Sequence, residues 1–132
     1  MDNRDRIQTT IDDFSTAWPS GRKDFRNEGD ETWRDYARAL SVLVSSEDAE
    51  RVEIQLKNDN RQVRALAARA LGFMARPRSA PVLSAALRKD EWETVRLLSA
   101  DALGMIHTSD TRATLSEAAG NDESADVNLH IN

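Results

Sequence analysis

Apolar side chains recur along most of this chain with the period of a helix rather than a strand. Ile7, Ile11, Phe14 and Trp18 stand at i, i+4, i+7 and i+11, one face of a helix that Pro19 then stops. Val63, Leu66, Ala67, Ala70, Leu71 and Met74 make a second stripe, because at about 100° per residue all of them fall within roughly 80° of Val63. "VRALAARALG" (63–72) carries that stripe. "VRLLSADALG" (95–104) repeats it thirty-two residues later, with Val, Arg, Leu, Ala, Ala, Leu and Gly returning in the same order.

Weaker copies flank the pair. "TWRDYARAL" places Trp33, Tyr36, Ala37 and Leu40 at the spacing of Val63, Leu66, Ala67 and Ala70, with Arg34 in the place of Arg64. "ADVNLHIN" places Val127 thirty-two residues after Val95, with Asn128 where the other copies have Arg. Each copy follows a shorter helical segment. "SSEDAERVEIQLKND" opens on Ser and acids suited to capping and carries Ala49, Val52, Ile54 and Leu56. "RPRSAPVLSAALRKD" has Pro81 in its first turn and Arg88 and Lys89 in its last. "SDTRATLSEAAGND" starts on a capping Ser or Asp and closes on Gly120.

The pattern predicts eight helices in four antiparallel pairs: about 3–18 with 31–44, 47–57 with 60–74, 78–88 with 91–106, and 109–118 with 123–132. "PSGRKDFRNEGD" is the one long loop. At the end, Val127, Leu129 and Ile131 alternate with Asn128, His130 and Asn132, a strand pattern that competes with the helix the repeat predicts. A helix with a single apolar stripe buries it only against neighbours, so a fixed period means stacked pairs sharing one core. The expected class is all-α, an α-solenoid formed as one domain over 1–132, with approximate repeats 1–45, 46–76, 77–108 and 109–132, the last incomplete.

"VRALAARALG" and "VRLLSADALG", each after a shorter helix and an Asp-containing turn, resemble HEAT repeats, in particular the short HEAT-like repeats of the phycobilisome lyases. The resemblance is strong over 46–108, weaker at 31–44 and 109–132, and absent as a motif at 1–30. It implies a superhelix whose second helices line a concave binding surface. It also implies that the recurrent Arg64 and Arg96 bond an acid in a neighbouring turn, for which Asp59, Asp90 and Asp122 stand ready. It does not imply one function, because such repeats serve bilin-attaching complexes, regulatory subunits and adaptors alike.

Composition narrows the chemistry. Without Cys there is no disulfide, thiolate nucleophile or thiolate metal site. His107 and His130 have no second ligand at metal spacing, no G-x-S-x-G turn supports a nucleophile, and no Gly-rich loop suits a phosphate. No catalytic, cofactor or metal residue is expected. The opening residues lack an apolar signal core, and no stretch is long enough to span a bilayer, so a cytoplasmic location is expected. Net charge is −5, yet no acid lies between Asp59 and Asp90, an interval holding Arg61, Arg64, Arg69, Arg76, Arg78, Arg88 and Lys89.

On the second helices, positions 61, 65, 68 and 69 and their equivalents 93, 97, 100 and 101 are expected to point outward. Arg61 then faces Glu93 and Arg69 faces Asp101 one repeat on, as inter-repeat ion pairs or as a polar binding ridge. Leu97 on the expected solvent face, with Trp92 nearby, suggests either a contact patch or cover from a neighbouring helix. Phe73, Met74, Met105 and Ile106 read as core at helix ends, and Gly72 and Gly104 as helix termination or close packing.

Candidate partner-binding residues are therefore Arg61, Arg64, Arg69, Trp92, Glu93, Leu97 and Asp101. The first expectation is a non-enzymatic scaffold for a protein or peptide. The alternatives are a subunit or chaperone of a bilin lyase and nucleic-acid binding through 60–89, the latter opposed by the acidic whole. Because the last helix is shorter than its other copies, either a longer solenoid or pairing of the C-terminal end with another chain is expected.

Overall fold

The computed structural model describes residues 2–19, 32–43, 48–124 and 127–128, with the backbone alone for Asn3, Thr32, Trp33, Arg34 and Leu43. The expected long loop, the side chains of Trp33 and Arg34, and the choice between helix and strand at 129–132 lie outside the described residues. Among those described there is no strand. Seven α-helices follow in order: α1 (Asn3–Ala17), α2 (Thr32–Leu43), α3 (Ala49–Ile54), α4 (Arg61–Met74), α5 (Ala80–Lys89), α6 (Glu93–Ile106) and α7 (Ser109–Ala118). Single 3₁₀ turns extend α3 at Gln55–Lys57 and precede α5 at Pro77–Ser79. Val127 and Asn128 are helical, with the Asn128 amide donating to the Ser124 carbonyl.

Local chemistry sets the helix starts. Asp2 accepts from the Asp5 amide at α1, and Asn60 accepts from the Gln62 amide at α4. The cap of α7 is Thr108 rather than the expected Ser or Asp, in a reciprocal box with Thr111. Both long repeat helices end on non-glycine residues in the left-handed region, Ala75 and His107, each at φ 51°. Gly72 and Gly104 stand inside their helices and terminate nothing.

Helix α4 lies at the centre, packed between α2 and α6, with α1 and α3 against it as well. Helix α5 packs on α6, and α7 on α6 and α5. One apolar cluster runs through all seven, from Ile7, Ile11, Phe14 and Trp18 through Leu66, Leu71, Leu83 and Leu103 to Val127. Two neighbours on opposite sides of α4 widen its buried arc well beyond the expected stripe. Ala65 and Ala68, expected outside, are fully buried, and so is Ala100 in α6. Ile54, expected among the apolar positions of α3, is instead 65% exposed.

The two repeat glycines face different surroundings. A Cβ on Gly72 would stand 3.1 Å from the Cα of Ala102 and 3.0 Å from the Met105 sulfur, so α4 and α6 approach more closely there than a side chain fits without displacing its neighbours. A Cβ on Gly104 would meet nothing within 4 Å. Gly72→Ala is therefore expected to destabilise by ~1–3 kcal/mol through overpacking. Gly104→Ala is expected to stabilise by up to ~1 kcal/mol through helix propensity. Urea midpoints of the two variants check this, and shifts of the same sign would refute it.

Candidate functional site

The recurrent arginines build the turns. Arg64 reaches twenty-six residues ahead to Asp90, with Nε to Oδ2 at 3.0 Å and Nη2 to Oδ1 at 3.4 Å, and its Nη1 donates to the Asn58 carbonyl six residues back. Arg96 repeats the pattern with Asp122 at 2.8 and 3.2 Å and with the Asp90 carbonyl at 2.9 Å. The carboxylates of Asp90 and Asp122 also accept the amide two residues on, from Trp92 and Ser124. Asp59 contributes only its carbonyl, 3.5 Å from Arg64. Arg64 and Arg96 are thus buried residues that tie neighbouring turns together.

Amides occupy both ends of this ladder. At Asn58, where the repeat has Asp, the side-chain oxygen accepts from the Asn60 amide and the nitrogen donates to Gln55. At Asn128, where the repeat has Arg, the side chain donates to the Asp122 carbonyl six residues back and accepts from the Asp122 amide. Each amide keeps the bonds within its own turn.

The other residues expected to bind a partner lie on the second helices but not as the expected patch. Leu97 is half-buried against the core, the covered one of the two alternatives expected for it. Trp92 is half-buried beneath Arg61, whose guanidinium sits 4.5 Å from the indole centre. Glu93 is half-buried in the first turn of α6. Arg69 does pair with Asp101, at 3.3 Å, as an inter-repeat ion pair.

A different face emerges from α2, α4 and α6 together. Arg69 lies 5.8 Å over the Phe73 ring, and Arg38 of α2 lies over the same ring at 5.3 Å. Arg38, Arg69 and Asp101 form a charged row across three helices. One turn further along each helix stand Val42, Phe73 and Met105, an apolar row. Val42 is 83% exposed and Met105 43%, while Phe73 is half-buried. Met105, expected in the core, thus belongs to the surface, whereas Ile106 is buried. Asp35, Arg38, Ala39 and Val42 stand together on one open face of α2.

A groove, about 690 Å³, runs between the α5–α6 turn and α7. Its walls are dominated by charges already matched, Arg96 with Asp122 and Arg88 with Glu117 at 3.6 Å. Among the described residues no three His, Cys, Asp or Glu side chains gather as a metal site needs, and no helix is long and apolar enough to cross a membrane.

Short and long helices alternating from α3 onward, tied by an Arg–Asp ladder of constant spacing, define an all-α helical-repeat protein. Residues 49–131 match the family model of HEAT repeats, more than half of the chain, and the protein belongs to that family. No curated protein and no solved structure matches the chain.

Proposed function

We propose that this protein is a non-enzymatic scaffold that holds a protein or peptide partner on the shared face of α2, α4 and α6. In this reading 1–132 is one domain of four helix pairs, and that face is the concave side of an α-solenoid. HEAT repeats are commonly protein-interaction scaffolds. The observation that carries the reading is the apolar row Val42, Phe73 and Met105, with two large side chains held in water beside a charged row. Such an arrangement matches the apolar core and polar rim of an interface.

Nucleic-acid binding has less support, because four of the arginines of the acid-free interval are engaged elsewhere. Arg64 is bonded to Asp90, Arg69 to Asp101 and Arg88 to Glu117, and Arg61 lies on Trp92. A phosphate track needs guanidinium groups facing outward together. No feature of the face favours the bilin-lyase role.

A photo-crosslinking side chain placed at position 42 or 105 in the source cells is expected to capture a second protein. The same group at the exposed position 54 of α3 is expected to capture none. Equal capture from all three positions, or capture from 54 alone, would overturn the assignment of the face.

A further inference from the structure

The chemistry of the partner can be taken further, on the footing of the scaffold reading above. Two guanidinium groups share the Phe73 ring, but their charges differ in availability. Arg69 is bonded to Asp101. Arg38 is exposed and, among the described residues, makes no ion pair. Stacking on the ring restrains the Arg38 fork without using its N–H donors, so the fork is held ready for a planar acceptor. Next to it, Ala39 and Val42 are exposed on the same open face of α2, with Asp35 on the preceding turn.

We propose that this face binds an acidic, apolar segment of another protein, with an Asp or Glu carboxylate on Arg38 and apolar side chains along Val42, Phe73 and Met105. The carboxylate sits on the Phe73 side of Arg38, away from Asp35 on the preceding turn. Polarity follows from the charged row. The α2 end offers a cation with no ion pair among the described residues, whereas at the α6 end Asp101 and Arg69 neutralise each other and leave an acid no cation to meet. Packed helices lie ~8–10 Å apart, so the three columns span roughly 20 Å. An extended segment of about six residues covers that distance at ~3.3 Å per residue. The acid therefore belongs at one terminus of a short apolar stretch, not within it.

The test uses random dodecapeptides displayed on phage, selected on the full chain, with the enriched sequences resynthesised and titrated against variants. Selected peptides are expected to carry Asp or Glu beside Leu, Ile or Phe. Their affinity is expected to fall at least tenfold for Arg38→Glu and less for Arg38→Lys, while circular dichroism shows each variant folded. Enrichment of basic or uncharged peptides, or equal binding to Arg38→Glu, would overturn the acidic partner and leave the scaffold reading standing. Binding unchanged by Val42→Asp, or no enriched peptide at all, would overturn both.

Discussion

Replacing Asp90 by alanine is expected to destabilise the fold by ~3–5 kcal/mol, the usual cost of leaving a buried charge without its partner. The side chains of Arg64 and Asp90 are only 11% and 8% exposed, so water cannot replace the lost carboxylate. Glu91 lies 3.7 Å from Arg64 but is 89% exposed, and a pair of that kind contributes at most ~1 kcal/mol. Asp90→Ala also removes the acceptor of the Trp92 amide, which shapes the entry to α6. Urea unfolding measures the loss. Arg64→Met combined with Asp90→Ala is expected to cost less than Asp90→Ala alone, because the pair then leaves together. A single-variant cost below ~1 kcal/mol would mean that the ladder behaves as a surface ion pair.

Trp18→Ala is expected to cost about as much, ~3–5 kcal/mol, the range for deleting a buried aromatic side chain. Trp18 is 1% exposed and stacks on Phe14 at 6.4 Å, and Phe14 in turn meets Tyr36 edge-on at 5.5 Å. The Trp18 carbonyl accepts from the side-chain amide of Asn60, the cap of α4. These contacts tie α1 to the central helix although α1 lies outside the residues that match the family. Trp18→Phe is expected to retain most of the stability. If Trp18→Ala lowers the helical signal by the content of α1 and leaves the main unfolding transition in place, α1 is an appendage rather than part of the common core.

The helices were legible wherever one rule governed them. Ile7, Ile11, Phe14 and Trp18 all lie in the core, as their spacing requires. The ladder was expected from the resemblance to HEAT repeats, which left Asp59, Asp90 and Asp122 open as acceptors, and the structure selects Asp90 for Arg64 and Asp122 for Arg96. Leu97 stayed open between exposure and cover because a helical wheel assigns one stripe inward, whereas stacked second helices bury their flanks too. Ala65 and Ala68, at 0% exposure, show how much of the circumference of α4 that covers. The face formed by Arg38 and Val42 escaped sequence reading for another reason. Arg38 precedes Arg69 by thirty-one residues, whereas setting Trp33 on Val63 uses an offset of thirty and matches Arg69 with Ala39, so aligning the repeats did not place Arg38 in the same row. Only the shared Phe73 ring reveals the correspondence.

The constant Arg-to-Asp separation also makes the chain its own ruler. Two successive spans of twenty-six residues are each closed by side-chain bonds at both tips, and each arginine is fixed again to a carbonyl six residues behind it. A residue inserted between Arg64 and Asp90 would leave the guanidinium facing the wrong side chain at the far tip. Changes of length between Arg64 and Asp90, or between Arg96 and Asp122, are therefore expected to weaken the ladder unless they keep its tips in register.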